Sequence, residues 1–204
     1  MPTDAVKYAM VTFIEDNYFQ YAQSEYLLFE RDKGGESLLI VNVQNDSICV
    51  TNYDKKKRCA FINLDKKYGM GKCIDHFIIV YKNEQWQLHM FEMKTTVGSK
   101  TWEGIKQKFR SSYLNICALC TFLGINIDET FAYTTYDKVK FDDIKSTADL
   151  STMKVPLGSK PPKKAIEEWD DGSVTVNLGY NKTFNHYKIE MEKVGGHLES
   201  NITI

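Results

Sequence analysis

The residues of this sequence that are best suited to chemistry are Asp75, Glu92 and Lys94. Two apolar runs between them flank the dipeptide Asn83-Glu84, which predicts an antiparallel β-hairpin. If this dipeptide forms the whole turn, Asp75 and Glu92 lie opposite each other with their Cβ atoms about 5 Å apart. Lys94 then lies on the same face of the sheet, because side chains alternate along a strand. A turn that differs by one residue would place Met93 opposite Asp75 instead.

Two carboxylates and one ammonium group on one sheet face are suited to hydrolysis of a phosphate ester. The carboxylates repel each other unless a cation lies between them, and oxygen ligands suit Mg²⁺, with Mn²⁺ as its substitute. The Lys94 ammonium can hold an attacking water, while the metal neutralises charge on the phosphoryl oxygens. The alternative is structural, with Glu92 and Lys94 facing solvent as a pair of surface charges. The apolar flanks favour the chemical interpretation, because charges at the ends of buried strands are costly unless used.

Asp75, followed after a hairpin by Glu92-Met93-Lys94, resembles the D…(D/E)xK signature of the PD-(D/E)xK nuclease superfamily, which has the restriction-endonuclease-like fold. The resemblance covers roughly residues 20–137 and includes the order helix, strands, Asp strand, ExK strand, long helix and strand. It implies that Asp75 and Glu92 bind Mg²⁺ with help from the Met93 carbonyl. It also implies that Lys94 positions the attacking water.

Two further site residues follow from the same resemblance. Many branches of the superfamily carry an acidic residue on the first helix, and Glu25 matches it as a metal ligand, with Glu15 and Glu30 as alternatives. Some branches place a glutamine on the helix after the motif, and Gln107 matches this catalytic position. The sequence departs from the superfamily at Ile74, which stands where the superfamily has a proline before the aspartate.

The elements around the motif predict an α/β fold, a central mixed β-sheet flanked by helices with a restriction-endonuclease-like core. Apolar residues recur at helical spacing over 4–29, a helical segment that allows one break near Asp16-Asn17. A broad apolar surface predicts the long helix at 101–123. Residues 77–80 are apolar on both faces, which is typical of a central strand covered by helices. Further strands are predicted at 37–43, 47–52, 58–64 and 130–136.

The sequence divides into three segments. Residues 1–149 form the predicted nuclease-like domain, and 150–164 contain three of the four prolines and four lysines, a composition typical of a linker. Residues 165–204 form an acidic C-terminal β extension, in which 173–178 and 186–194 predict a small β-hairpin. We expect few contacts between this extension and the main domain.

Basic residues near the motif predict a nucleic-acid-binding surface. The whole chain has 26 basic and 27 acidic residues and a net charge of −1, so any site for a polyanion must be a local patch. A solvated face is the alternative explanation for each single lysine. The predicted surface comprises Lys55, Lys56, Lys57 and Arg58 before the hairpin, and Lys100, Lys106, Lys108 and Arg110 after the motif.

The composition is that of an ordinary globular protein, since 43% of the 204 residues are hydrophobic and 26% are charged. No stretch approaches the ~18 apolar residues of a membrane span, and the N-terminus has no apolar signal-peptide core. Five cysteines without a framework spacing fit reduced thiols, so the expected compartment is the cytoplasm.

Cys117 and Cys120 lie in an apolar helical segment, where core packing is favoured over zinc binding. His76 and His89 are interpreted as core or edge histidines.

The function predicted from these residues is a metal-dependent endonuclease that cuts DNA, with RNA as the alternative substrate. The resemblance implies a role in restriction, repair or phage defence, as a homodimer or with a targeting partner protein, and no membrane is involved. A second interpretation is a catalytically inactive subunit that keeps the nuclease fold as a scaffold. A third is an unrelated α/β domain in which Asp75 and Glu92 are structural. The presence of all three motif residues favours the enzyme.

Overall fold

The structure is a computed structural model that describes residues 4–15, 17–21, 24–32, 35–56, 69–141 and 164–204. Its helices are α1 (Asp4–Phe13), α2 (Ser99–Phe122) and α3 (Ala165–Asp170), and a 3₁₀ turn covers Tyr53–Lys55. The strands of the first half are β1 (Gln20–Tyr21), β2 (Glu25–Asp32), β3 (Gly35–Asn42), β4 (Ser47–Val50), β5 (His76–Lys82) and β6 (Gln85–Met93). The later strands are β7 (Thr96–Val97), β8 (Ile127–Tyr136), β9 (Lys138–Val139), β10 (Ser173–Asn177), β11 (Asn181–Glu190), β12 (Glu192–Val194) and β13 (His197–Thr203).

These strands form one large mixed sheet and two smaller ones. The main sheet has seven described strands in the order β1-β4-β5-β6-β8-β11-β10, and β8 runs parallel to both of its neighbours. The second sheet has the order β12-β13-β3-β2, and β7 pairs with β9 alone among the described strands. The predicted α/β fold with a central mixed sheet is confirmed, as are the long helix and the strands near 37–43, 47–52 and 130–136.

The main sheet is the middle of three layers. One face packs against α1 and α2, where Ile79 lies in one core with Met10 and Phe109. The other face packs against the second sheet, where Ile78 lies in a separate core with Leu39. Strands apolar on both faces therefore have a helical cover on one side and a β-sheet on the other. The second sheet replaces the helices expected there because β2 and β3 each present an alternating apolar face.

The predicted helix at 4–29 ends at Phe13, close to the break that the sequence allows near residues 16 and 17, and the prediction is wrong for the segment after that break. Asn17 has a left-handed backbone conformation (φ 63°), which a helix cannot continue through, and β2 follows. In β2, Tyr26 and Leu28 are fully buried while Leu27 is exposed, so the true period is two. This short apolar run fits either period, and pairing of all eight β2 residues with β3 selects the strand.

The hairpin that carries the motif has the predicted two-residue turn. Asn83 and Glu84 both have positive φ, at 52° and 63°, as a tight turn that matches the twist of its strands requires. Lys82 pairs with Gln85, and this register continues without a break to the pair His76 and Phe91. The next position in the same register brings Asp75 to Glu92, as the counting of residues predicts.

Residues 165–204, predicted as a peripheral extension, supply strands to both large sheets. The predicted hairpin is β10 and β11, and β11 pairs in parallel with β8 of the main sheet. Strand β13 pairs in parallel with β3 of the second sheet. Trp169 of α3 is buried with its ring 5.3 Å from that of Trp102. The apolar face of this segment thus completes the cores. The predicted linker, except Lys164, and the predicted strand 58–64 lie outside the described residues.

The helices and cysteines bear on the expectations drawn from apolar runs and from cysteine spacing. None of the helices within the described ranges combines the length with the apolar character that crossing a bilayer requires. The four described cysteines, at positions 49, 73, 117 and 120, are free thiols. Cys117 and Cys120 lie on α2, and Cys120 is buried in the core between this helix and the main sheet, as their interpretation as packing residues predicts.

Candidate active site

The two motif carboxylates meet where β5 begins and β6 ends. Asp75 is 4% exposed and Glu92 is fully buried, and Glu92 points to the face covered by α2. The Asp75 Oδ2 atom accepts a hydrogen bond of 2.7 Å from the Met93 backbone amide. The Asp75 carbonyl accepts a second one from the Tyr53 amide, also 2.7 Å long. The backbone around the hairpin therefore orients Asp75 toward Glu92.

Lys94 completes the motif on the same face of the hairpin. Its Nζ atom lies 2.6 Å from Glu92 Oε1 and 3.8 Å from Asp75 Oδ2. The same Nζ donates a hydrogen bond of 2.7 Å to the Met93 carbonyl. The Met93 side chain lies on the opposite face, in the core between the two sheets, as strand alternation predicts. The structure therefore brings the three motif residues together.

A second ammonium group reaches the carboxylates from α2. Lys108 Nζ lies 2.7 Å from Glu92 Oε1 and 3.3 Å from Asp75 Oδ1, so it bridges the two acids. The buried residues Ile105 and Ser112 lie one turn before and after it, which directs this face of the helix toward the sheet. Ser112 Oγ also accepts the Ile74 amide at 2.9 Å, which ties the helix to the residue before Asp75.

Lys108 has a different position from the one that the sequence predicts. It is expected on a nucleic-acid surface, and instead it contacts both carboxylates. The predicted glutamine, Gln107, does not join them, because its Oε1 accepts a hydrogen bond of 2.6 Å from Lys72 Nζ. One residue along a helix rotates a side chain by about 100°, so only one of these neighbours faces the acids. The spacing from Ile105 and Phe109 could have indicated Lys108.

Burial and the neighbouring charges shift the pKa values of both Glu92 and Lys108. Removal from water, reinforced by the nearby charge of Asp75, raises the pKa of Glu92 to about 7 despite two neighbouring ammonium groups. Burial by itself would lower the pKa of Lys108, but the charges of Glu92 and Asp75 outweigh it and raise that pKa. Glu92 Oε2 is buried and makes no hydrogen bond within the described residues. The buried carboxylate is thus only partly satisfied.

A third acid, Glu30 of the second sheet, is coupled to Asp75 through its charge. It shares the inward parity of Tyr26 and Leu28 on β2, and burial, followed by the charge of Asp75, raises its pKa. Its Oε2 atom is buried without a hydrogen bond in the described part of the chain. The predicted ligand Glu25 is instead exposed on the outward parity of the same strand, so this assignment is corrected. The change follows from β2 being a strand and not a helix.

The 3₁₀ turn at Tyr53–Lys55 adds two charges beside Glu30. The Lys55 ammonium lowers the pKa of Glu30 and the Asp54 carboxylate raises it, both less than burial does. Lys55 Nζ also donates a hydrogen bond of 3.0 Å to Asn52 Oδ1. Lys56 turns away, donating to the Asn17 carbonyl at 3.1 Å. Lys57 and Arg58 lie outside the described residues.

The predicted basic residues of α2 have separate environments. Lys106 Nζ forms a salt bridge of 2.6 Å with Glu168 of α3, so its charge is already compensated. Lys100 is exposed at the start of the helix, and Arg110 lies beside Gly69. These positions do not form one continuous basic face. Lys72, which no sequence pattern indicated, is a further basic residue beside α2, because its Nζ atom donates a hydrogen bond to Gln107 of that helix.

The buried histidines are held as neutral side chains. Burial lowers the pKa of His76 to about 4, and its Nδ1 atom accepts a hydrogen bond of 3.1 Å from the Asn52 amide. Burial likewise lowers the pKa of His89 to about 3, and this ring stacks on Phe131. The interpretation of both as buried sheet residues is confirmed. Neither donates to the carboxylates, so the chemistry of the cluster involves acids and lysines.

The donor atoms of the cluster fit a hard cation that keeps most of its water. Within the described ranges no group of three or more His, Cys, Asp or Glu side chains is placed to hold a metal. Asp75 and Glu92 nevertheless share one ammonium group, which shows that one cation can lie between them. The Met93 carbonyl is adjacent, and Glu92 Oε2 has no described partner. Mg²⁺ is commonly bound through one or two carboxylates, with water in its other positions.

Comparison with models of protein families, with curated proteins and with solved structures gives no match to this chain. The likeness to the PD-(D/E)xK signature is therefore a resemblance of Asp75, Glu92 and Lys94 and of the order of elements around them. The chemistry of the cluster follows from its own contacts.

Proposed function

We propose that this protein is a divalent-metal-dependent nuclease that hydrolyses phosphodiester bonds in DNA. One observation carries the proposal: Asp75, Glu92 and Lys94 converge at one buried point, where the Lys108 ammonium already bridges the two carboxylates. A pair of acids that shares one cation has the charge and the oxygen ligands that suit Mg²⁺, which is commonly bound through one or two carboxylates. The proposal assigns the cluster to catalysis because charges at such depth are costly when they serve packing alone.

Each residue of the cluster has a role that follows from its contacts. Asp75, Glu92 and the Met93 carbonyl would hold Mg²⁺, which when bound supplies charge neutralisation at the phosphate and acidifies a water molecule. The Met93 amide keeps Asp75 oriented through its hydrogen bond to Oδ2. Lys94, anchored on Glu92 and on the Met93 carbonyl, holds and orients the attacking water. Lys108 binds a phosphate oxygen once it leaves the carboxylates.

A nuclease assay with matched variants tests this proposal. Supercoiled plasmid and a single-stranded RNA are incubated with the purified protein in Mg²⁺, in Mn²⁺, in Ca²⁺ and in chelator. We expect cleavage of the DNA with Mg²⁺ or Mn²⁺, and a loss of at least about a hundredfold in Asp75→Asn and Glu92→Gln. Glu129→Gln changes an exposed glutamate outside the cluster and should cut like wild type. A folded wild type that leaves both nucleic acids intact with Mg²⁺ and with Mn²⁺ contradicts the proposal. Cleavage of the RNA alone would show that the substrate is RNA and not DNA.

The full charge compensation of the cluster favours a second function, that of a scaffold without catalysis. Two carboxylates face two ammonium groups, so the cluster can persist as a buried ion-pair network with no metal. The two functions differ in metal binding. A scaffold shows no increase in melting temperature with millimolar Mg²⁺ or Mn²⁺, whereas the proposed nuclease does.

A further inference from the structure

The second sheet has one long edge strand, β2, with exposed apolar side chains. Among the described strands β2 pairs with β3 alone, through all eight of its residues. On its outward face Leu27 is 55% and Phe29 is 46% exposed. A long edge strand with exposed apolar side chains is a template for pairing with another strand.

The opposite edge of the same sheet is different. It is formed by β12, which has only three residues, Glu192–Val194, two of which are charged. Short, charged strands are the usual means by which a protein prevents pairing at a sheet edge. The contrast between the two edges therefore indicates β2 as the edge that accepts a further strand.

The outward face of β2 is complementary to itself in the antiparallel direction. Glu25, Leu27, Phe29 and Arg31 share the outward face, with Leu28 at the midpoint. Two copies of β2 paired about Leu28 place Glu25 of each copy opposite Arg31 of the other. The same register places Leu27 opposite Phe29. Opposite charges at both ends and apolar pairs in the middle are the contacts that stabilise neighbouring strands.

Contacts within one chain leave these residues accessible. Arg31 Nε lies 3.3 Å from Glu36 Oε1 across the β2–β3 pair, but the Arg31 side chain is 77% exposed. Surface ion pairs of this kind contribute little, and a guanidinium has further donors for a second carboxylate. A pairing about a two-fold axis is closed, so it produces a dimer and not a fibre.

We propose that β2 is the interface of a homodimer, in which two copies pair antiparallel about Leu28. The two second sheets, of four described strands each, then form one continuous sheet across the dimer. The occupant of this edge is a second copy because the charge order on the outward face of β2 complements its own reverse. The proposal does not depend on catalysis by the carboxylate cluster.

Charge reversal tests this register directly by sedimentation equilibrium or light scattering of the full chain. Wild type is expected to show a concentration-dependent monomer–dimer equilibrium. Glu25→Arg places two arginines together at each end, and Arg31→Glu places two glutamates together. Each variant should weaken dimerisation at least about tenfold, because like charges across an interface are strongly unfavourable. The double variant Glu25→Arg/Arg31→Glu should dimerise like wild type.

Mixing the two single variants gives the sharpest result. Positions 25 and 31 of β2 are then both arginines in one chain and both glutamates in the other, so an equimolar mixture should form a heterodimer although each variant alone dimerises weakly. Glu192→Arg makes the same reversal on the β12 edge, and Glu36→Gln removes only the partner within the chain; neither should change dimerisation. Leu27→Glu, at an exposed position, is a second disruptive variant should a reversal fail to fold by circular dichroism.

Three results would overturn the proposal. One is a wild type that stays monomeric up to submillimolar concentration. Another is equal dimerisation of wild type, Glu25→Arg and Arg31→Glu. The last is weakening by both single reversals without restoration in the mixture or in the double variant, which would place the interface elsewhere.

Discussion

The central residue of the candidate site is Lys108, because it determines how the buried charges balance. Glu92 Oε1 accepts from two ammonium groups, Lys94 at 2.6 Å and Lys108 at 2.7 Å, while Lys108 alone also reaches Asp75 Oδ1 within hydrogen-bonding distance. Removal of one partner of a buried ion pair leaves an uncompensated charge, which is more costly than never burying the pair. Lys108 therefore has a structural effect that can be separated from any role in catalysis.

Replacing Lys108 by methionine should lower the free energy of unfolding by about 2 kcal/mol, because the acids keep a single counter-ion and Lys108 is partly solvated. Mg²⁺ should then raise the melting temperature more in Lys108→Met than in wild type, since it no longer competes with the Lys108 ammonium. The matched control is Lys106→Met, which removes a lysine paired with Glu168 outside the cluster. Equal metal-dependent shifts in wild type and Lys108→Met would show that the ammonium does not occupy the cation position.

The raised pKa of Glu92 predicts a defined pH dependence of stability. Between the ordinary value of 4.5 and about 7 the folded state holds a proton that the unfolded state has released. Stability should therefore fall as pH rises through this window and stay level just above it, relative to Glu92→Gln, which cannot titrate. Chemical denaturation of both proteins from about pH 4.5 to about pH 8, which spans both pKa values, measures the difference. Parallel curves would show that Glu92 titrates alike in both states.

Among the elements, the C-terminal strands contribute to both large sheets. Strand β11 extends the main sheet beside β8, and β13 lies between β3 and β12 in the second sheet. Phe184 and Leu198 bury their side chains in the two different cores. A segment that contributes to both cores is part of the cooperative unit of folding.

Deletion of residues 165–204 should therefore abolish cooperative unfolding, in contrast to the few contacts that the linker composition predicts. Loss of β13 leaves β3 as a new edge and exposes apolar side chains of the second core. Thermal melting by circular dichroism and binding of a hydrophobic dye measure the outcome. Val194→Lys, at an exposed position of β12, should melt like wild type. A truncated chain with a sharp melting transition would show that the first part folds independently.

At the scale of the whole molecule, the candidate site joins the main sheet to the helical layer. The hairpin of the main sheet supplies Asp75 and Glu92, and α2 supplies Lys108. The pKa of Glu30 on β2 is raised by burial and then by the charge of Asp75. A ligand that binds this point connects the layers, so it should stabilise the folded state as a unit.

Mg²⁺ or Mn²⁺ should raise the melting temperature of wild type, and Glu92→Gln should lose most of the increase. A ligand specific for the folded state adds roughly 2.7 kcal/mol at a hundredfold excess over its dissociation constant. Ca²⁺ should bind without supporting cleavage, which separates binding from chemistry. Glu129→Gln, outside the cluster, should respond like wild type. The absence of a shift with any of the three ions at millimolar concentration would favour the scaffold over the nuclease.

The sequence by itself was sufficient to predict the hairpin and the relative positions of its charged residues. Once Asn83-Glu84 forms a two-residue turn, the partner of every residue follows by counting, because strand pairing and side-chain alternation are local and periodic. The opposition of Asp75 and Glu92, with Lys94 beside them, therefore needed no information on tertiary structure. The long helix α2 could also be predicted from the sequence, since its apolar surface continues along 24 residues.

Tertiary structure decided which distant residues contact that hairpin. Lys108 rather than Gln107 faces the acids because packing of Ile105 and Phe109 on the main sheet sets the rotation of α2. Glu30 rather than Glu25 turns inward because pairing with β3 makes its segment a strand. Such choices depend on contacts between residues far apart in the chain, whose free energies outweigh weak local preferences. The same reason explains why a C-terminal segment with the composition of an appendage completes both sheets.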